Sequence, residues 1–194
     1  MKENYQKRME NIINELKGRP KLLLHACCAP CATYVTECLM PHFDITLYYY
    51  NPNTHPRDEY LKRLEALNML ALAMGLPVLE GEYNQDAFFL AAEGLEEQPE
   101  GGARCAECFK LRLNQTASAA KKGAFDMFAT TLTVSPHKNA ELINSIGFEA
   151  EQLYGAAYLP SDFKKRNGFK RSTELSQELG LYRQSYCGCE FSIR

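Results

Sequence analysis

Residues 21–31 read KLLLHACCAPC. The apolar run from Lys21 to Ala26 has the length and composition of a buried strand, and it runs directly into three thiols, Cys27, Cys28 and Cys31, ahead of a helix candidate at 32–40. A buried strand joined to a helix by a short junction is the first unit of a parallel sheet covered by helices. In a nucleotide-binding relative of that architecture this junction would carry glycines, which let phosphates reach the helix amides. Here it carries sulfur, which argues against ATP. The partial positive charge of the helix N-terminus favours thiolates instead, the form that iron and zinc bind.

Outward from this junction the pattern repeats. Further strands are expected at Ile45 to Tyr50, Pro77 to Leu79, Asp126 to Thr131 and Ala156 to Leu159. A long helix with an apolar face of Leu61, Leu64, Leu67, Leu70, Ala71 and Met74 breaks at Gly75-Leu76-Pro77, and other helices are expected at 3–17, 85–93, 106–122, 138–146 and 172–179. Glu93 to Arg104 reads as a surface loop that ends at Cys105. The predicted fold is an open, parallel, three-layer α/β domain of the Rossmann-like kind spanning 1–194, with cysteine-bearing loops at the carboxyl rim of the sheet. In such a sheet the segments after the strands share one rim, where ligands bind. Cys27 to Cys31, Asn51 to His55, Thr133 to Lys138 and Pro160-Ser161-Asp162 all fall there.

Composition narrows the chemistry. Twenty-two basic against twenty-four acidic residues give a formal charge of −2, so a nucleic-acid partner must be met by a local patch. No run reaches the roughly 18 apolar residues of a membrane span, and Met1 to Tyr5 lacks the apolar stretch of a secretion signal, so the chain reads as cytoplasmic with no membrane partner. Eight cysteines in 194 residues fall short of the roughly 8–10% of a disulfide scaffold. In a reducing compartment that favours metal or redox chemistry.

Seven of those cysteines form three tight groups: Cys27, Cys28 and Cys31; Cys105 and Cys108; Cys187 and Cys189. Cys38 stands apart on an apolar helix face as a structural thiol. Two C-x-x-C pairs plus one C-x-C are a strong metal signal. A zinc staple on Cys28, Cys31, Cys105 and Cys108, or a thiol–disulfide centre at Cys28 and Cys31, each leaves sulfurs over. Seven thiols exceed the four that a closed zinc site or a cubane cluster uses, which points to a cluster plus a second metal or a redox pair.

At HACCAPC, YYNPNTH (49–55), RCAEC (104–108), TTLTVSPHK (130–138) and YRQSYCGC (182–189), the chain resembles the cobalamin-independent epoxyqueuosine reductases, the QueH family. The resemblance implies a nucleotide-binding-like "HUP" sheet, a [4Fe-4S] cluster with a second, mononuclear iron, and conversion of epoxyqueuosine to queuosine at the wobble position of tRNA. The seven clustered cysteines would then divide between cluster and second metal. Asp162, on the last rim loop, becomes a candidate metal ligand or acid, with His25 and His137 as further candidate proton donors. An external electron donor such as a ferredoxin or flavodoxin is also implied. The densest basic run, Lys164, Lys165, Arg166, Lys170 and Arg171, adjoins Asp162 and is the expected phosphate contact, with Arg57, Arg63, Arg112 and Arg183 extending it. Of Tyr48, Tyr49 and Tyr50 at least one ring is expected in the core, leaving one at the rim to stack on a base.

Overall fold

A computed structural model describes residues 3–193. Its five strands run in the order β3-β2-β1-β4-β5, all parallel. β1 (Lys21–His25) is central and pairs with β2 (Asp44–Tyr49) on one side and β4 (Met127–Thr130) on the other. β3 (Val78–Glu80) and β5 (Ala157–Tyr158) are the edges. Side chains alternate across the sheet. Leu22, Leu24, Ile45, Leu47 and Tyr49 enter one core with α1 (Tyr5–Asn14), α2 (Ala29–Leu39) and α3 (Arg57–Met74). Leu23, Tyr48, Phe128 and Tyr158 enter the other with α5 (Ala103–Lys122) and α6 (Ala140–Tyr154). A one-residue slip of β1 would exchange the two sets, so burial on both faces fixes the register.

The remaining helices, α4 (Gln85–Ala92) and α7 (Gly168–Glu178), flank this sandwich. Several helices are longer than the sequence pattern indicates. α2 starts at Ala29 rather than 32, with Pro30 in its first turn, and α5 starts at Ala103 rather than 106. α6 continues through Gly147, where periodicity stops, because the Tyr158 ring occupies the space a Cβ would need. The strand expected to reach Thr131 ends at Thr130, whose hydroxyl accepts from Leu132 N and turns the chain into a 3-10 turn over Thr131–Val134.

Candidate metal centre at the switch point

The helix that leaves β1 and the helix that leads into β4 lie on opposite faces, α2 on the Leu22/Leu24 side and α5 on the Leu23 side. Where they part, at the carboxyl ends of β1 and β4, the chain opens the crevice typical of such sheets. Cys27, Cys28 and Cys31 stand in it. Cys28 is the N-cap residue of α2 and Cys31 lies in its first turn, so the earlier helix start brings both closer to the positive end of the dipole. The three Sγ atoms lie within 4.8 Å of one another, and those of Cys27 and Cys28 are 3.8 Å apart. Two thiolates at about 2.3 Å from one tetrahedral ion would stand about 3.8 Å apart, so this spacing suits a shared metal.

Charge is concentrated on Cys27. Hydrogen bonds from the Cys28 and Cys31 thiols hold it well below the usual thiol range against the opposing effect of burial, helped by Lys138 and Arg112. The same bonds raise Cys28 and Cys31. Thr131 Oγ1 also donates to Cys27 Sγ at 3.3 Å.

The second and third cysteine groups meet behind the first. Cys105 and Cys108 sit on the first turns of α5, where Gly101 N donates to Cys105 Sγ at 3.2 Å and Arg112 Nη1 approaches Cys108 Sγ at 3.9 Å. Burial raises both thiols, Cys108 to about 11, and the sulfurs of Cys187 and Cys189 push them the same way, which places all four within electrostatic reach. Among the described residues only Cys27, Cys28 and Cys31 form a group of three potential ligands at close spacing; the other four thiols converge more loosely.

Cys187 and Cys189 are carried by a C-terminal strap pinned to α3. Arg63 donates from Nη1 to Cys187 O (3.0 Å), from Nη2 to Tyr186 O (3.1 Å) and from Nε to Glu59 (2.7 Å). Tyr182 donates to the other Glu59 oxygen at 2.8 Å, and His55 N donates to Gly188 O at 2.8 Å. Gly188 is required: its φ is +118°, and a Cβ would stand 2.7 Å from Arg63 Nη1. Arg112 joins the sulfur groups to one another. Fully inside the protein, it donates from Nη2 to Asn51 Oδ1 (2.6 Å) and from Nε to His25 Nε2 (3.4 Å), and its charge is sustained by Cys108, Cys27 and Cys187 against desolvation.

A cavity of about 980 Å³ opens onto Cys27, Cys28, Cys31 and Cys187. Its ionisable lining, thiols aside, includes Arg63, Arg112, His137, Lys138, Arg183 and, alone among the described side-chain carboxylates, Glu100. Burial works against the Lys138 ammonium, but the Cys187, Cys27 and Cys31 sulfurs outweigh it and raise its pKa.

The expected site residues divide. His137 is exposed at the cavity. His25 is fully buried behind it, and burial together with Arg112 drops its pKa to about 3, so the ring is neutral: Nε2 accepts from Arg112, which leaves Nδ1 to donate to Thr130 Oγ1 at 2.8 Å. Asp162 does not line the cavity; its Oδ1 is buried without a hydrogen-bond partner, 3.6 Å from Lys164 Nζ. Lys164 thus supplies the cation beside this oxygen, which lies outside the close-spaced thiol group. In the basic run, Arg166 is paired with Glu10 and Arg171 with Glu37, each at 2.7 Å. Lys164 donates to Lys138 O, Lys165 to Asn4, and Lys170 lies 3.9 Å from Glu174. Arg63 and Arg112 are buried beside the thiols rather than on an outer track. All three tyrosines of β2 and its end are buried, Tyr48 stacked on Tyr50 and Tyr49 in the opposite core, so none is free at the rim.

Fold and site together define a Rossmann-like protein in which a polythiol centre replaces the phosphate-binding loop. Residues 22–194 match the family described as Epoxyqueuosine reductase QueH. The epoxyqueuosine reductase QueH of Staphylococcus epidermidis is 43% identical over 98% of this chain and 85% of its own length, and that of Streptococcus pyogenes 42% over 100% and 79%. That of Thermotoga maritima is 38% identical over 89% and 90%. The chain belongs to the QueH family of epoxyqueuosine reductases, which are oxidoreductases. Among solved structures, the U34-tRNA thiolase NcsA of Methanococcus maripaludis, determined with its [4Fe-4S] cluster, aligns with a TM-score of 0.55 at 12% identity over 97% of this chain and 68% of its own. A predicted subunit of tRNA methyltransferase from Methanocaldococcus jannaschii aligns at 0.52 and 15%, over 81% and 75%. At those identities the likeness is one of fold. No helix among the described residues is long and apolar enough to cross a membrane.

Proposed function

We propose that this chain deoxygenates epoxyqueuosine to queuosine in the anticodon loop of tRNA, using a [4Fe-4S] cluster and an adjacent iron held by the seven clustered cysteines and Asp162. The observation that carries the reading is the convergence of three sequence-distant thiol groups around Arg112, with Cys27, Cys28, Cys31 and Cys187 open to one cavity. The thiols already accept bonds from Thr131, Gly101 N and Arg112, the kind of donors that tune sulfur ligands.

Turning an epoxide into an alkene takes two electrons and two protons and releases the oxygen as water. When bound, the iron centre supplies single electrons and a Lewis-acidic position. The chain's own residues do the rest. The Lys138 ammonium, kept charged by neighbouring sulfur, faces the cavity where the departing oxygen needs a hydrogen bond, and His137 at the lip is the second proton donor. Neutral His25 holds Arg112 in place rather than delivering a proton. Arg183, which donates only to Ser176 and Thr173 and has no carboxylate partner among the described residues, meets phosphate at the entrance. Lys164, Lys165 and Lys170 extend that contact, while Arg166 and Arg171 would first leave weak surface pairs.

Anaerobic reconstitution followed by iron and sulfide counts, a visible spectrum before and after dithionite, and single turnover on epoxyqueuosine-containing tRNA test the proposal. A brown protein bleached by dithionite that forms queuosine is expected. An active protein with one zinc and no sulfide would refute it, and activity without any metal would assign the chain to thiol–disulfide chemistry.

A further inference from the structure

Three of the clustered thiols, Cys105, Cys108 and Cys189, do not line the cavity, and two of them are covered by α4. Cys108 and Cys189 pack beneath Phe88 and Ala92 of α4 and beneath Phe191. Phe191 in turn meets Phe88 and Phe89, with ring centroids 6.2 and 6.5 Å away. On the outside of this apolar layer Phe89 is 36% and Leu90 74% exposed. The surrounding chain is acidic. From Glu82 to Ala103 it carries Glu82, Asp86, Glu93, Glu96, Glu97 and Glu100 and no Lys, Arg or His. Glu93 and Glu97 are exposed and have no cationic partner among the described residues. The cavity is the reverse, with five basic side chains to one carboxylate. Behind a formal charge of −2, the 82–103 segment and the cavity lining are opposite in charge and meet at Glu100.

We infer that the α4 face, centred on Phe89 and Leu90 and rimmed by Asp86, Glu93, Glu96 and Glu97, is the docking surface for the protein that supplies electrons, and that this partner presents a basic rim around its redox centre. The inference rests on the reductase reading, which requires two electrons per turnover from outside. With tRNA over the cavity, electrons enter from elsewhere, and the α4 face lies over Cys108 and Cys189, two of the three thiols that do not line the cavity. Its charge repels nucleic acid and steers a cationic protein, while an apolar centre inside a charged rim is the composition of a transient interface. In each encounter the partner's centre loses one electron and the iron centre gains it. Two encounters and two protons from water convert one epoxide to alkene and water.

The test uses reconstituted holoprotein, reduced with dithionite, desalted anaerobically and mixed in a stopped-flow instrument with ferricytochrome c, a probe whose haem edge is ringed by lysines. Ferricyanide, a small oxidant that needs no docking, runs in parallel. Glu93→Lys/Glu97→Lys and Leu90→Ser spare Glu96, which accepts from Gly94 N. The expected result is a cytochrome c rate at least tenfold lower in the charge-reversed double variant, lower in Leu90→Ser and steeply salt-dependent in the wild type, with no loss of rate toward ferricyanide. Equal cytochrome c rates in all three proteins overturn the docking face, as does a wild-type rate that is faster with an acidic ferredoxin. A tRNA affinity that changes while the cytochrome c rate does not would give the face to RNA and also overturn it. A preparation with no dithionite-reducible centre fails the reductase reading instead, so the two failures are distinguishable.

Discussion

Removing the Arg63 guanidinium should release the strap that carries Cys187 and Cys189. Arg63 and Glu59 are 2% and 8% exposed at their side chains and 2.7 Å apart, one helical turn from each other on α3. In Arg63→Met the strap loses the donors to Cys187 O and Tyr186 O, Tyr186 loses a cation 5.1 Å from its ring, and Glu59 is left buried with Tyr182 as its remaining bond. Breaking a buried pair by deleting one partner costs roughly 3–5 kcal/mol, because the surviving charge is uncompensated. Arg171→Met is the control: its partner Glu37 is also 2.7 Å away, but both side chains are exposed, 39% and 42%, and such solvent-screened pairs contribute little to stability. Urea unfolding of both apo variants measures the contrast, and alkylation mapped by mass spectrometry reports whether Cys187 and Cys189 react faster than Cys38. Arg63→Met should unfold at least about 3 kcal/mol more easily, expose the strap thiols and bind substoichiometric iron, whereas Arg171→Met should do none of these. If Arg63→Met matched the control in stability and in Cys187 reactivity, the strap would be held by something other than this clamp.

Arg112→Met removes a cation beside Cys108 and Cys27; loss of positive charge disfavours the more negative reduced state, so the reduction potential of the loaded centre should fall, and an unchanged potential at full iron occupancy would show that this charge is not felt there. Neutralising Arg183, Lys164 and Lys165 together should weaken tRNA binding and lessen the slope of log affinity against log salt by about 0.7 for each single-strand phosphate that is no longer neutralised, which a filter-binding salt titration reads directly. Gly168→Ala drives a Cβ into the carbonyl oxygen of Phe163 and against the Tyr34 ring; backbone cannot yield as a side-chain end can, and a cost of at least roughly 1–3 kcal/mol is expected in thermal unfolding. Anaerobic chelation of the loaded protein should abolish visible absorption and turnover together while far-ultraviolet circular dichroism is kept, since the two apolar cores are complete without metal.

The sheet was legible because its strands are apolar on both faces. KLLLHA and ITLYYY need no partner to be recognised, and a rim rule then sorts the polar loops. What the pattern misplaced follows from tertiary contacts that no local window contains. Periodicity ends α6 at Gly147, yet the helix continues because Tyr158, eleven residues on, packs against the bare α-carbon. The seven clustered thiols announced themselves by spacing, but the residues that arrange them did not. Arg63 and Arg112 read as surface cations, since an arginine inside a helix carries no mark of burial. Their partners, Glu59, Asn51, His25 and the carbonyls of a strap more than a hundred residues downstream, are assembled only by the fold. Likewise the basic run after Asp162 looked uncompensated in sequence because Glu10 and Glu37 lie far from it along the chain.

Arg112 and Lys138 also explain how so many sulfurs can gather at one rim of the sheet. Thiolates repel one another, and burial raises each thiol further, as Cys105 and Cys108 show. The Arg112 guanidinium offsets that repulsion at Cys27 and Cys108, and the Lys138 ammonium does so at Cys27. The positions of Arg63 and Arg112 are set by neutral acceptors, Asn51, His25 and backbone carbonyls, rather than by carboxylates alone. A carboxylate beside each cation would cancel the field that the thiols need. Glu59 is the exception, and it lies on the α3 side of Arg63, where it fixes the guanidinium while the Nη atoms remain turned to the strap. The fold thus separates the charge that holds the arginines from the charge at Cys27, the thiol that its neighbours hold well below the usual range inside a low-dielectric crevice.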